Sequence, residues 1–366
     1  MKLAIVHDYL CGMGGAERVF QYICEEFSEA DAYALAYNPD STLPYFKGRD
    51  IRTTWLNRYV RSMDAFRWSF PLATYVMESL DLGRYDVVLS SSATVAKYVR
   101  VPHGKHICYC YIPTRALWQT NEYFGASRKA ALIKPFLPYL QRRDFAAAQR
   151  VNQFIAISNT TRDHIASTYG RDSQVIFSPI DLEKFAPSRT RGDYFLVVSR
   201  LEQWKRVDYA VEAFNTLGMP LRVIGTGKEE VRLRAMARPN INFLGAVDDT
   251  ALAREYAEAR AVIFTPFLEY GLIPLEANAS GTPVICYGKG GITETMIPWG
   301  NELATSESPT AVFFHEQTAE ALAAAVRQFE QATFDSDQLV EHAARWGIPA
   351  FKRQLRAAVN TLVLSG

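Results

Sequence analysis

Hydrophobic residues along this chain gather into short runs, separated by longer stretches whose apolar positions recur at helical spacing. The first run, KLAIVH at 2–7, reads as a buried strand. It is followed by the turn Cys11-Gly12-Met13-Gly14-Gly15 and by AERVFQYICEEF, in which Val19, Phe20, Ile23 and Phe27 fall on one helical face. Similar runs stand at 85–90 (YDVVLS), 106–111 (HICYCY) and 152–157 (QFIAIS). Apolar strands alternating with helices predict a parallel sheet covered on both faces. A polar, turn-rich stretch near 179–191 interrupts the pattern, which then restarts with a strand at 193–200 and a helix at 207–218. Further runs follow at 221–225, 241–245, 261–264 and 283–286. The expectation is an α/β protein of two Rossmann-like domains, 1–182 and 183–345, with a C-terminal helix within 346–366 crossing back to the first.

The densest chemistry lies in TPFLEYGLIPLEANASGTPVICYGKGGITET, residues 265–295. Pro274 is placed to open a helix, with Glu269 on the preceding loop and Glu276 in the first turn. Free N–H groups at a helix start attract an anion, typically phosphate. Two carboxylates repel such an anion, and make sense there if they hold a hydroxyl-rich group attached to it, as in a nucleotide sugar. The plainer reading is that a first-turn glutamate merely complements the helix dipole. The surroundings weigh against it: both carboxylates, with Gly288, Gly290 and Gly291, fall at the ends of successive βα units, where open parallel sheets bind ligands. Gly14 and Gly15 form a similar strand–glycine–helix element that backbone N–H groups can offer to phosphate. It is not a G-x-G-x-x-G fingerprint, and no acidic residue follows at the spacing of a dinucleotide ribose, which argues against a dehydrogenase.

Glu269, Glu276 and the following GTPVICYGKGGITE resemble the signature of the family 4 retaining glycosyltransferases of GT-B fold, in their bacterial mannosyltransferase-like branch. The resemblance takes in GGAER near the start and SRLEQWKR at the middle, and so covers nearly the whole chain. It implies two Rossmann-like domains with parallel sheets facing each other across a cleft, the first domain for acceptor and the second for donor. Arg200 and Lys205 would bind the donor diphosphate, with Arg206 a less certain neighbour. Glu276 would accept from the ribose hydroxyls. Glu269 would hold donor-sugar hydroxyls and stabilise charge at the reacting centre. Backbone groups of Tyr270, Gly271, Leu272 and Ile273 would complete the sugar and phosphate cradle, and the segments around Gly225 and Val247 would grip the base.

One departure from the family concerns a histidine near the donor sugar in a His-x-Pro type segment. In YCYIPTRALW that place is taken by Tyr111, while Arg115 and Trp118 keep the pattern. Tyrosine is neutral at pH 7 and a poorer proton acceptor, so no histidine base is assigned. Tyr111 and Arg115 remain candidate contacts to donor sugar or acceptor. A shifted alignment would promote His106 or His103 instead. In the mechanism usually drawn for this fold, the leaving phosphate itself takes the acceptor proton on the same face.

Composition narrows the field further. The chain has 366 residues, 48% of them hydrophobic, enough for two cores. Forty basic against thirty-nine acidic residues make no case for a nucleic-acid partner. No window is long and apolar enough for a membrane span, and the run at 3–6 meets His7 and Asp8 too soon for a signal peptide. Five cysteines without a Cys-x-x-Cys pair suggest a reduced, cytoplasmic protein without structural zinc. Asp335-Ser336-Asp337 spells a metal-binding Asp-x-Asp, yet Asp335 and Gln338 fit a capping box; Asp248-Asp249 likewise fits a helix start. Arg52, Arg58, Arg61 and Arg67 among the aromatics of 51–70, and Lys134, Arg142 and Arg143 beside Phe136 and Tyr139, fit either ordinary solvation or contact with an anionic membrane surface.

The expected function is a metal-independent, retaining hexosyl transfer without a cofactor beyond the nucleotide-sugar co-substrate. The favoured donor is GDP-mannose, and the acceptor a glycan or lipid-linked oligosaccharide of bacterial surface polysaccharide synthesis, on the inner face of the cytoplasmic membrane. The rivals are a UDP-hexose donor, an epimerase on the same fold, and a nucleotide-sugar-binding protein without catalysis.

Overall fold

The computed structural model describes residues 1–120, 134–188, 190–300 and 307–364. The chain forms two compact units, Met1–Ser178 with Pro349–Gly366, and Pro179–Ile348.

The first unit is built on a parallel sheet of β1 (Leu3–His7), β2 (Asp31–Ala34), β3 (Ile51–Thr53), β4 (Val87–Ser92), β5 (Lys105–Cys110), β6 (Gln153–Ala156) and β7 (Ser173–Val175). Their order is β3-β2-β1-β4-β5-β6-β7. The chain moves outward from β1 to β3, then returns and moves outward the other way from β4. The direction therefore switches between β1 and β4, whose carboxyl ends lie side by side with His7 opposite Ser91. Every residue of β1 and β4 is buried, as expected of strands covered on both faces. The helix Gly15–Glu26 turns Val19, Phe20 and Ile23 inward, and Phe20 stacks on His7 at 4.5 Å between ring centroids. The C-terminal helix Ile348–Leu364 is tied to this unit by Phe351, set edge-on to Tyr109, and by a 2.8 Å bond from Lys352 Nζ to Glu25. Arg356 adds an ion pair with Glu26.

The second unit carries β8 (Phe195–Val198), β9 (Leu221–Ile224), β10 (Ile241–Gly245), β11 (Val262–Phe264), β12 (Val284–Tyr287) and β13 (Ala311–Phe314). They pair in the order β10-β9-β8-β11-β12-β13, so its direction switches between β8 and β11. Phe195, Phe214, Val223, Ile263, Ile285 and Leu322 belong to one buried cluster between sheet and helices. Both aspartate pairs start helices. Asp335 accepts from the backbone N–H of Asp337 and Gln338 at 2.9 and 3.2 Å, and Asp248 accepts from that of Ala251 at 2.7 Å.

One element differs from expectation. The helix Leu272–Ala279 is capped by Gly271 and begins two residues before Pro274, with no acidic residue in its first turn. Glu276 therefore stands in the next turn. A proline at the third helical position is tolerated for the same reason as at the first, since the leading N–H groups have no intrahelical acceptor to lose.

Candidate active site

In the second unit the loops after β8, β9, β11 and β12 interlock at the carboxyl end of the sheet. After β8, Arg200 is exposed and Lys205 ends a short 3-10 turn, Gln203–Lys205. Among the described residues Arg200 makes no ion pair; its guanidinium lies 5.9 Å from the Trp204 ring centre, and Lys205 Nζ lies 4.3 Å from it. Arg206 is differently employed. It takes up a left-handed conformation, φ 52°, and grips Asp208 through Nε and Nη2, each at 3.1 Å. That bidentate pair spends the Arg206 charge within the fold.

Across the switch point, Thr265 Oγ1 donates to the Lys205 carbonyl at 2.9 Å, and the Thr265 carbonyl accepts from Gln317 Nε2 at 2.9 Å. The loop bearing the cations is thus fastened to the loop bearing Glu269. Glu269 itself is buried, at 4% exposure. The Gly291 N–H donates to the Leu268 carbonyl at 2.9 Å, and Gly291 approaches so closely that a Cβ there would stand 1.9 Å from the Glu269 carbonyl oxygen. Gly225 plays the same part on the other side. Its φ is 128°, and a Cβ would lie 1.8 Å from the Ser199 carbonyl oxygen. These two glycines let neighbouring loops touch backbone to backbone. Tyr270 and Gly271 are buried at the helix start, while Leu272, Ile273 and Glu276 are half-buried. The Tyr256 hydroxyl donates to Glu276 Oε2 at 2.9 Å and orients that carboxylate. Val247 is half-buried in the turn between β10 and the helix Asp249–Glu258.

This one sheet end therefore offers two cations, two carboxylates and a helix start whose N–H groups have no intrahelical acceptors. That set can neutralise phosphates and hold hydroxyl groups within the same loop cluster.

In the first unit, Gly14 caps the helix Gly15–Glu26 without a side-chain bond of its own. Glu17, the third helical residue, turns its carboxylate back over it: Oε2 sits 2.7 Å from where a Gly14 Cβ would be. Glutamate at this position commonly reaches back to the cap, so the chain brings its own anion to this helix start. Tyr111 is buried, and its hydroxyl donates to the Ala16 carbonyl at 3.0 Å and meets Ser91 Oγ at 2.9 Å. Burial holds its phenol far above the ordinary range. Ser91 Oγ in turn lies 3.0 Å from His7 Nδ1. Burial lowers His7 to about 4, against the pull of Asp8, so its ring is neutral at pH 7. Arg115 opens the short helix Arg115–Trp118. His106, the alternative base, is buried on β5 near the amino end of the sheet, bonded to Ser90. His103 is an exposed loop residue.

Sequence reasoning passed over two buried carboxylates. Asp8 receives the backbone N–H groups of Ala93 and Thr94 on Oδ2 and of Val95 and Ala96 on Oδ1, all at 2.7–2.9 Å. It thereby fixes the loop after β4 at the switch point. A charged residue directly after a buried strand was the available signal. Asp144 is fully buried and pairs with Lys97 at 2.8 Å, while Tyr98, Thr114, Trp118 and Tyr169 also donate to it. Burial pushes its carboxyl up, but Lys97 and these donors outweigh that and hold it below the usual carboxylate range. Nothing in the local sequence marks this pair, because its members come from separate elements.

Comparison with known proteins agrees with this architecture. Residues 13–184 match the model of Glycosyltransferase Family 4, and residues 180–350 that of Glycosyl transferases group 1. The O-antigen chain mannosyltransferase RfbU of Salmonella typhimurium is 23% identical over 57% of this chain and 60% of its own length. Glycogen synthase of Mycobacterium tuberculosis is 31% identical over 40% of each chain. Each of these alignments takes in less than two thirds of the relative. Among solved structures, sucrose-phosphate synthase from Thermosynechococcus elongatus superposes over 100% of both chains with TM-score 0.77 at 15% identity. Anabaena Alr3699/HepE in complex with UDP-glucose covers 99% of this chain and 100% of its own, with TM-score 0.71 at 15% identity. The two family matches run consecutively through almost the whole chain, and with the two parallel sheets they place it among the family 4 glycosyltransferases of GT-B fold.

Proposed function

We propose that this protein transfers a hexose from a nucleoside diphosphate sugar, with retention at the anomeric carbon, and that its second unit binds the donor. The observation that carries this reading is the bond from Thr265 to the Lys205 carbonyl, which joins the cation loop to the Glu269 loop at the point where ligands bind in open α/β sheets. Arg200 and Lys205 neutralise the diphosphate as it leaves, and N–H groups at the start of Leu272–Ala279 supply further donors. Glu276, oriented by Tyr256, accepts from the ribose hydroxyls. Glu269 accepts from sugar hydroxyls and stabilises positive character at the anomeric carbon. The departing phosphate oxygen takes the acceptor's proton on the face it leaves, so no protein nucleophile is required. Tyr111 spends its hydroxyl on Ala16 and Ser91 and acts by shaping the first unit rather than as a base.

GDP-mannose is the favoured donor, on the resemblance of the motifs and the mannosyltransferase relative, and a glycan or lipid-linked oligosaccharide the favoured acceptor. A UDP-hexose is the second reading, favoured by the UDP-glucose complex of the structural neighbour. The test is nucleotide release from a panel of GDP- and UDP-sugars, with chelator added in parallel and with Glu276→Ala and Arg200→Ala beside the wild type. Slow, chelator-insensitive release from one donor, lost in both variants, is expected. Release that the variants retain would refute the assignment of the site.

A further inference from the structure

The stretch 179–191, by which the chain enters the second unit, lies along two helices of the site. Lys184 pairs with Asp249 at 2.8 Å, at the start of the helix Asp249–Glu258 that carries Tyr256. Phe185 is buried and sets its ring edge-on to Tyr256, with 5.8 Å between centroids. Pro187 meets Gly281, just past the helix Leu272–Ala279 that carries Glu276. Gly281 has φ 68°, and a Cβ there would stand 2.9 Å from Pro187 Cβ and 2.0 Å from Ser336 Oγ.

Arg191 completes this strap. The residue lies on the surface, yet its guanidinium turns back onto the carboxyl ends of both helices, and among the described residues it makes no ion pair. Nη1 donates to the Ala257 and Ala259 carbonyls at 3.2 and 3.1 Å and also to Thr282 Oγ1, while Nη2 donates to the Gly281 carbonyl. Carbonyls at a helix end lack intrahelical donors, and a cation there also meets the negative end of the helix dipole. One side chain thus fastens the end of the Tyr256 helix to the end of the Glu276 helix.

From there the contact runs to the carboxylate through one hydroxyl and one tyrosine. Thr282 Oγ1, which receives Arg191, donates to the Tyr256 carbonyl at 2.7 Å. Tyr256 is fully buried, and its own hydroxyl donates to Glu276 Oε2 at 2.9 Å. Its backbone is held by the arginine's relay and its ring by Phe185, so its phenol is aimed from both ends. Direct contact of Arg191 with phosphate is ruled out by its place. Gly192 bonds to the Glu258 carbonyl just before β8 begins, which puts Arg191 at the amino end of the sheet, opposite the loops of Arg200 and Lys205. An arginine that only capped helix ends would serve stability alone, whereas this relay ends on a carboxylate of the site.

We infer that Arg191, Thr282 and Tyr256 are positioning residues for Glu276, which hold its carboxylate toward the ribose hydroxyls and so set a preference for ribonucleotides without touching the nucleotide themselves. This rests on the reading of Glu276 as the ribose acceptor. The test is calorimetric titration of the full chain with GDP and UDP, each against its dideoxyribose counterpart, which lacks both hydroxyls. For the nucleotide that binds, the wild type should favour the ribose form by about tenfold or more, as hydrogen bonds to an ionised acceptor require. Tyr256→Phe keeps the ring against Phe185 and should reduce that preference to within about threefold, with the dideoxy form bound as in the wild type. Arg191→Met should move the preference the same way. Thr282→Val exchanges one buried hydroxyl for a methyl and reads the same relay if Arg191→Met does not fold. A preference unchanged in Tyr256→Phe, or affinity lost equally for both forms in Arg191→Met and Thr282→Val, would overturn the inference alone. A wild type that binds both forms alike would refute the assignment of Glu276, and the inference with it.

Discussion

Asp8→Asn probes the first unit at its switch point with the least change of shape. Each Asp8 oxygen accepts two backbone N–H groups from the loop after β4, at 2.7–2.9 Å, and Oδ1 also receives Ser92 Oγ at 3.2 Å. Asparagine turns one of those oxygens into a donor, so two of the N–H groups, buried or part-buried, lose their acceptor and the other two lose a charged one. A hydrogen bond to a charged group is worth about 1.5–3 kcal/mol and an unsatisfied buried donor costs about 1–3 kcal/mol. Partial rearrangement leaves a local loss of about 3 kcal/mol, or about a hundredfold in amide exchange. Hydrogen exchange followed by mass spectrometry or NMR should show residues 93–96 accelerated by that order, with the loops of the second unit unchanged. Protection at 93–96 within about threefold of wild type would mean that the carboxylate does not hold this loop.

Gly291→Ala should lower nucleotide binding at least tenfold with the fold retained, because its Cβ would stand 1.9 Å from the Glu269 carbonyl oxygen and displace that loop; Gly12→Ala, with nothing within 4 Å, serves as the control in the same titration. Lys97→Met strands the buried Asp144 charge and should cost about 3–5 kcal/mol in urea denaturation; adding Asp144→Asn should restore part of that loss, and a double variant weaker than the single one would contradict the pairing. Stability should fall as the pH drops from about 6.5. Burial depresses His7 to about 4 and His106 to about 3, so the unfolded chain takes up protons there that the folded one refuses. His106→Gln should flatten the decline of the urea midpoint between about pH 7 and about pH 5, and an unchanged slope would exclude it as a source.

The sequence read well where periodicity and local spacing carry the information. Continuous apolar runs such as LAIVH and VICY sit buried in parallel strands, and the aspartates at 248 and 335 cap helices through neighbours two or three residues away. The clustering of Arg200, Lys205 and Glu269 was legible because each follows a strand of the same sheet, and strands on either side of a switch point become neighbours. What the sequence hid is longer in range. Asp8 meets a loop more than eighty residues away, and Asp144 draws donors from three separate stretches, at Tyr98, at Thr114 with Trp118, and at Tyr169. Leu272–Ala279 starts two residues before Pro274, because proline marks a region where the backbone has spare N–H groups, not a single position in it. Glu17 over Gly14 leaves no mark in the sequence, because a first-turn glutamate looks the same whether it faces water or folds back on the cap.

The most direct test of the central claim is a calorimetric titration of the purified chain with GDP and with UDP. The account predicts saturable one-site binding of one of them without metal, weakened tenfold or more in both Arg200→Ala and Glu276→Ala. Failure of either nucleotide to bind the wild type, or equal affinity in both variants, would contradict it.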